Sequence, residues 1–255
     1  MTTRSLSCLV ALAALALPQP AGTASLEFEG RYWAPELSGE LEVQTRGVGT
    51  RVDLRADLGI QDNEFPEGRL TLRPTRKLKL RAAFMPLSYA GDAEVARTIR
   101  FAGETFRLDT RVVSDLDLDY GRVGLAWQFI GFGRGAFRLG PLIEAKVLRG
   151  EVALSAPDLP LTVSVSEEFE VAFASAGLAL DIEPSSRLHL FAEATGSVGI
   201  DEGDLRDAEA GIRYRPFPRL WVLAGYRVFE LEAEEGDDFL DIEIEGVFFG
   251  LELRF

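Results

Sequence analysis

The sequence predicts an all-β protein, an antiparallel up-and-down transmembrane β-barrel of ten strands. Three observations predict this fold. Apolar residues recur at every second position in most of the chain, which is the period of a strand and not of a helix. Short and long connections alternate strictly. Beyond the first 24 residues no apolar run reaches the length of about 18 that a membrane-spanning helix needs, whereas barrel strands are short and half polar.

The first 24 residues have the pattern of a secretory signal peptide. Arg4 supplies the positive charge, Leu6–Leu17 form the apolar run, and Ala21–Ala24 offer small residues for cleavage. A lipoprotein leader that uses Cys8 fits less well, because Cys8 lies inside the apolar run. We therefore expect residues 1–24 to be removed and residues 25–255 to form one barrel domain.

The net charge, the cysteine count and the motifs of the sequence exclude several classes of function. The net charge of −14 disfavours nucleic-acid binding. The single cysteine falls in the predicted leader, so the mature chain would hold no disulfide, which is typical of a bacterial envelope protein. No phosphate-binding glycine loop and no zinc motif occurs, and we expect no cofactor.

The connections divide into two classes. The short ones contain Pro or Gly, as tight turns do, and are Arg73–Arg76, Gly131–Arg134, Glu183–Ser186 and Arg215–Pro218. The long ones are Ser38–Glu64, Pro86–Val113, Ser155–Val163, Ile200–Gly203 and Ala233–Asp238. Membrane barrels have short periplasmic turns and longer extracellular loops. Nine connections join ten strands; an eight-stranded barrel, with two of these strands read as loop, is the second choice.

The strands between these connections each carry one apolar row. The clearest are Leu78–Phe84, Phe137–Val147, Ala172–Ile182, Ala208–Tyr214 and Leu220–Val228. Aromatic residues fall near the ends of the rows, as in the girdles at the two membrane interfaces: Phe129, Phe137, Tyr214, Tyr226 and Phe255.

The last strand, Leu240–Phe255, limits the lipid-facing band. Val247, Phe249, Leu251, Leu253 and Phe255 form its apolar row, and the nine residues from Val247 match the length of a tilted strand. Toward the loop end of the strand, the same row consists of Asp241, Glu243 and Glu245. In another strand, Asp115, Asp117 and Asp119 likewise extend the apolar row of Val123, Leu125, Trp127 and Phe129. Because charge in hydrocarbon is costly, we expect these carboxylates to project above the bilayer as a wet, acidic collar.

This ending resembles the C-terminal signal of Gram-negative outer-membrane β-barrels. The resemblance implies that the barrel assembly machinery recognises the side chains of Phe249, Leu251, Leu253 and Phe255. The mature chain is similar to the small outer-membrane barrels that include the OmpA transmembrane domain and the OmpW-like proteins. The features that carry this resemblance are the signal peptide that precedes it, the alternating strands, and the stretches Phe28–Trp33 and Asp57–Ile60. The resemblance implies a bacterial outer-membrane location among membrane lipids and lipopolysaccharide, but no substrate.

The rows opposite the apolar ones would face the lumen. Their charged residues are Glu27, Glu29, Arg31, Lys79, Arg81, Arg122, Arg138, Glu144, Lys146, Glu193, Glu209, Arg213, Arg227 and Glu252. Side chains largely fill a barrel of this size, so opposite charges should pair and leave a filled or narrow lumen with a structural, envelope role. The alternative is a passive channel for ions or small solutes, in which the inward glycines Gly124, Gly140, Gly211 and Gly250 leave space.

A third reading is an outer-membrane hydrolase of lipid A or peptides. The chain has one histidine, His189, which lies near the short turn Glu183–Ser186, with Glu193 placed to orient it. Nucleophilic catalysis also requires a nucleophile in contact with its base, and the sequence shows no such set. We therefore expect a non-enzymatic protein with no catalytic residue.

Divalent cations are candidate ligands of the acidic collar. Its further members flank the last two long loops: Asp201, Glu202, Asp204, Glu230, Glu232, Glu234, Glu235, Asp237 and Asp238. Clustered carboxylates suit Ca²⁺ and could bridge to lipopolysaccharide phosphates, but none of these stretches has the spacing of a calcium loop.

Overall fold

The computed structural model describes residues 24–42, 44, 49–96, 98–101, 103–107, 109–133, 136–158, 163–197, 203–235 and 238–255. The predicted leader, apart from its last residue, lies outside these ranges, and so do Asp201, Glu202 and Asp237 of the predicted collar. Among the described residues no helix is long and apolar enough to cross a membrane.

The regular elements are strands, in line with the alternating sequence pattern. They are β1 Ser25–Glu42, β2 Val52–Asp53, β3 Phe65–Thr75, β4 Leu78–Glu94, β5 Ile99–Phe101, β6 Glu104–Phe106, β7 Arg111–Trp127, β8 Ile130–Phe132, β9 Phe137–Ala156, β10 Val163–Ser185, β11 Leu188–Ser197, β12 Gly203–Phe217, β13 Leu220–Glu235 and β14 Asp238–Arg254.

Ten of these strands close into an antiparallel barrel, which confirms the predicted fold class. The ring runs β1, β3, β4, β7, β9, β10, β11, β12, β13, β14 and returns to β1. The closing seam between β1 and β14 is paired from Glu27 opposite Arg254 to Glu42 opposite Phe239. Closure removes the exposed sheet edge, which would otherwise leave backbone groups unpaired in lipid.

The longest strand extensions into predicted loops occur in Ser38–Glu64 and Pro86–Val113. β1 continues to Glu42 and β4 to Glu94, and β7 begins at Arg111. These extensions keep the alternation, with buried Leu41 and Leu87 on the inward side. The prediction of loop at these positions was wrong because polar residues on the outward side weakened the apolar signal above the bilayer.

The barrel wall is irregular between β1 and β4 at the loop end, because β3 begins lower than its neighbours. Residues 52–64, which we call the latch, close this part of the wall. Ile60 forms an isolated antiparallel bridge with Gly91 on β4, and Val52–Asp53 pair with β1. The side chains of Leu54 and Leu58 are buried inside the barrel. The latch therefore completes the wall with its backbone and fills part of the interior with its side chains.

The interior has two layers of opposite character. Toward the turn end, most inward side chains are charged, and a few buried apolar ones such as Phe191 and Leu223 lie among them. Toward the loop end they form an apolar core, to which every wall segment contributes, including the latch and the β5–β6 hairpin. Trp33, Tyr120 and Phe248 lie in the core and contact charged groups of the layer below. The predicted collar is therefore acidic only on its outer face, and its inside is apolar.

Candidate functional site

The lumen network is the set of inward charged side chains in the turn-end layer. Every side chain predicted to face the lumen lies on an inward row, and most are less than a tenth exposed. Arg138, near the turn end, is the most exposed of them, with 13% of its side chain accessible. The alternation of the strands places these groups, since every second residue of a strand points to the same face.

Glu209 and Asp207, neighbours on the inward row of β12, form the centre of the network. The Glu209 carboxylate lies 2.9 Å from the Arg31 guanidinium, 2.8 Å from that of Arg69 and 3.4 Å from that of Arg122. Asp207 lies 2.9 Å from the guanidinium of Arg227, and Arg122 also contacts Asp207 at 3.2 Å. Each central carboxylate therefore neutralises several cations, as buried charges require.

A third carboxylate, Glu67 on β3, joins these two centres. It lies 3.0 Å from Arg122, 3.4 Å from Arg69 and 3.8 Å from Arg227. The Lys146 ammonium lies 3.2 Å from Asp207 and 3.4 Å from Glu144, and Arg81 contacts Glu144 at 2.8 Å and also pairs with Glu193. The network thus spans the lumen from wall to wall.

A smaller cluster lies nearer the turn end, around Asp181 on β10. The Lys79 ammonium lies 2.5 Å from Asp181, His189 Nε2 lies 2.9 Å from it, and Arg138 lies at 3.7 Å. At the barrel seam, Arg213 joins Glu29 and Glu252, each at 3.0 Å. Glu252 of the terminal strand is thereby tied into the lumen.

Sequence reasoning missed several members of the lumen network. They are Glu67, Arg69, Arg73, Asp181, Asp207 and Arg254. Asp207 had a visible signal, because it stands two residues before Glu209 on the same row. Glu67 and Arg69 lie in β3, whose short apolar row was not among the clear ones.

His189 is fully buried and is held by Asp181, not by Glu193 as the sequence suggested. Glu193 instead pairs with Arg81, because the register of β10 and β11 brings Asp181 closer to the ring. Among the described residues, the hydrogen-bond partner found for His189 is a carboxylate and not a Ser, Thr or Cys nucleophile. A histidine held by a buried carboxylate corresponds to the base and the orienting group of a catalytic triad, and within the part of the chain that the structure describes no hydroxyl or thiol is hydrogen-bonded to the His189 ring as the nucleophile would be.

The inward glycines do not leave open space. A Cβ atom on Gly211 would lie 2.7 Å from the Phe191 ring, and one on Gly124 would lie 2.7 Å from the Glu144 side chain. A Cβ on Gly250 would lie 2.4 Å from the carbonyl oxygen of Gly30. The expectation of free lumen space at these positions was wrong, because neighbouring groups occupy it.

The outward face carries a belt of exposed apolar side chains around the lower barrel. Phe249 is 60% exposed, Leu251 55%, Ile143 60% and Leu178 57%. In water so large an apolar surface would be unfavourable, whereas in a bilayer it contacts acyl chains. The belt ends where the carboxylates begin, at Val247 of β14.

Above the belt, carboxylates of neighbouring strands stand directly opposite each other. Glu243 is paired in register with Glu230, and Asp241 with Glu232 on one side and Glu40 on the other. Like charges directly opposite in a sheet destabilise it. Among the described residues, however, no group of three or more acidic, histidine or cysteine side chains is arranged to hold a metal ion.

A few arginines offset this acidic surface. Arg206 lies 2.9 Å from Asp204 and 3.4 Å from Glu230. The Ser197 hydroxyl donates a hydrogen bond to Asp204, and this bond lowers the pKa of the Asp204 carboxyl below its usual value. Asp204 therefore keeps its negative charge at neutral pH.

Comparisons with known proteins bear on the fold. No family model matches the chain, and no curated protein sequence matches it. Among solved structures, the outer membrane protease OmpT from Escherichia coli aligns with a TM-score of 0.56 at 10% identity, covering 91% of this chain and 97% of that one. The translocator domain of the autotransporter NalP from Neisseria meningitidis aligns at a TM-score of 0.48 and 14% identity, covering 92% and 89%.

Identities this low show a shared architecture and nothing about activity. The architecture is common to OmpT and to this chain, and the closed strand ring with its outward apolar belt independently requires a lipid environment. The chain is a ten-stranded antiparallel β-barrel of the bacterial outer membrane.

Proposed function

We propose that this protein is a closed, structural barrel of the cell envelope that conducts no solute. The observation that carries the proposal is the pair of stacked seals in its interior. The lumen network fills the layer within the membrane, and the apolar core fills the layer above it. A solute that crosses the barrel would have to displace both layers. The charged layer excludes apolar solutes, and the apolar core excludes ions and polar solutes.

The ionic seal is strong because its charges are shared. Removing the central carboxylate Glu209 would leave three buried guanidinium groups, those of Arg31, Arg69 and Arg122, short of the counter-charge that they share. Breaking a buried pair in this way costs about 3–5 kcal/mol. We therefore expect a solute path through the lumen network to open only rarely. A closed structural barrel is favoured over a passive channel for this reason.

The proposal also excludes a hydrolase. His189, the only histidine, is sealed behind the turn end and bonded to Asp181, and its ring has no exposed surface. The similarity to OmpT is a similarity of fold and carries no catalytic residue to this chain. Any hydrolytic activity would need groups other than this histidine.

Liposome swelling tests the absence of solute flow. Proteoliposomes that contain the folded mature barrel are expected to swell in isosmotic arabinose at the rate of empty liposomes, with a general porin as the positive control. Swelling that increases with the number of barrels per liposome would refute a closed lumen.

The C-terminal strand supports an assembly role for its outward row. Phe249, Leu251 and Leu253 are 40–60% exposed, and the Phe255 ring packs edge-on against Phe28 at 6.1 Å. Leu26 and Phe255 also exchange backbone hydrogen bonds of 3.0 and 2.9 Å, which close the seam at the turn end. We propose that the assembly machinery binds this row before the seam forms.

Substituting Phe255 with serine is expected to slow machinery-dependent assembly several-fold, because the terminal aromatic contact is lost. The measurement is the folded fraction over time in proteoliposomes that contain the machinery. Phe132→Ser is the matched control, since Phe132 is an outward aromatic at the same end and 67% exposed. Equal assembly rates for the two variants, with equal spontaneous refolding in detergent, would contradict the proposed role.

The opposed carboxylates of the collar support diffuse bridging by divalent cations to lipopolysaccharide phosphates. Chelation with EDTA is therefore expected to lower the melting temperature of the barrel in lipopolysaccharide-containing vesicles and to leave it unchanged in phosphatidylcholine vesicles. The reason is that the repulsion between Glu243 and Glu230, and between Asp241 and Glu232, returns when the cations leave. An unchanged melting temperature in both vesicles would count against any cation role.

A further inference from the structure

The turn end of the barrel opens into a cavity of about 680 Å³, which we call the vestibule. It lies beside the Asp181 cluster, and its wall is formed in part by the turn-end members of the lumen network. Its wall includes Arg73, Arg138 and Arg254, the buried amide of Gln128, and hydroxyl side chains such as Ser185. A volume of this size is in the range of small-molecule sites.

The three guanidinium groups of the vestibule converge. Arg73 and Arg254 approach the same oxygen of Glu27, at 2.6 and 3.4 Å. Arg73 and Arg138 approach the same oxygen of Asp181, at 4.0 and 3.7 Å. Two carboxylates thus hold the three cations close together, although they are fixed on three different strands.

The charge of the vestibule is unbalanced. Arg76 and Lys77 of the β3–β4 turn also line it, so five basic side chains face two acidic ones, Glu27 and Glu183. Two further carboxylates lie behind the wall. Asp181 is already neutralised by Lys79 at 2.5 Å, and Glu252, which pairs with Arg254, is shared with Arg213 at 3.0 Å. The excess positive charge in a concave site attracts an anion.

Two polar atoms of the wall show what such an anion should carry. Arg254 has a buried terminal nitrogen that finds no hydrogen-bond acceptor among the described residues. Gln128, which is 1% exposed, donates weakly to the Ala179 carbonyl at 3.5 Å, and its buried Oε1 finds no donor among those same residues. Unsatisfied buried polar groups are costly, so a ligand that supplies both an acceptor and a donor would be favoured.

We propose that the vestibule binds a phosphate group that carries a hydroxyl-bearing substituent, as in a glycerol phosphate. The tetrahedral phosphate offers oxygens in several directions to the three guanidiniums, whereas a planar carboxylate suits one. The hydroxyl donates to Gln128. The same chemistry occurs in soluble glycerol phosphates and in the phosphatidylglycerol headgroup, and the vestibule faces the periplasmic side, where either could reach it.

Isothermal titration of the folded mature barrel in detergent with sn-glycerol 3-phosphate tests the site. We expect saturable 1:1 binding that is at least several-fold tighter than that of inorganic phosphate. Lys77→Gln, a change at an exposed residue of the wall, should weaken binding several-fold, and Arg138→Gln should weaken it more. Arg149→Gln, at an exposed extracellular arginine bonded to Glu170, is the matched control and should bind as the wild type does.

A second arm separates the two sources of the phosphate. Barrels in nanodiscs of phosphatidylethanolamine with and without phosphatidylglycerol are titrated with glycerol 3-phosphate. Competition by phosphatidylglycerol would assign the site to the lipid headgroup, and unchanged affinity would assign it to the soluble ester. No saturable binding by the wild type, or equal binding by the wild type, Lys77→Gln and Arg138→Gln, would overturn the proposal.

Discussion

Replacing Glu209 with alanine is expected to lower the free energy of unfolding by about 3–5 kcal/mol. The carboxylate is the shared counter-charge of Arg31, Arg69 and Arg122 at the centre of the lumen. Without it, three guanidinium groups remain buried with Glu29, Glu67 and Asp207 left to offset them. The measurement is reversible urea unfolding of the barrel in lipid vesicles.

Glu230→Ala is the matched control, because Glu230 contacts Arg206 at 3.4 Å on the outer surface with 43% of its side chain exposed. An exposed pair of this kind contributes about 0–1 kcal/mol. If the two variants lose similar amounts of stability, the lumen network does not stabilise the barrel, and its proposed structural role is wrong.

Replacing Trp33 with alanine is expected to cost about 3–5 kcal/mol as well, for a different reason. Trp33 is 2% exposed at the junction of the two layers, where its indole donates to the Gly246 carbonyl at 3.2 Å and the Arg227 guanidinium lies 5.0 Å from its ring. The substitution opens a cavity in the apolar core and removes a cation–π contact from the charged layer.

Trp127→Ala removes the same side chain from the outer surface, where Trp127 is 54% exposed to lipid. It leaves no internal cavity, so its loss of stability should be clearly smaller than that of Trp33→Ala. A larger loss for Trp127 would mean that the core above the membrane is not a packed seal.

Local alternation was sufficient to predict the barrel. The strand count follows from the alternating short and long connections. The outward row from Val247 to Phe255 and the end of the lipid band follow from a period of two and from the cost of charge in hydrocarbon. The apolar core above the band also had a signal that was not used. Ile242 and Ile244 alternate with Asp241 and Glu243, and they are buried while the acids face outwards.

Contacts between distant strands could not be predicted in this way. Alternation says that His189 and Asp181 face inwards, but only the register of β10 against β11 decides that Asp181 reaches the ring. The latch is a second example, because residues 52–64 have no strand period and are held by partners on β1 and β4. The vestibule likewise depends on arginines from three separate strands meeting at one mouth.

The most direct test of the closed barrel is single-channel conductance of the refolded mature protein in a planar bilayer. We expect a silent bilayer at voltages that leave the barrel folded, because the ion-pair layer and the apolar core block the same axis. Stable, voltage-tolerant current steps from the wild-type barrel would contradict this expectation, and the lumen charges would then be the determinants of ion selectivity.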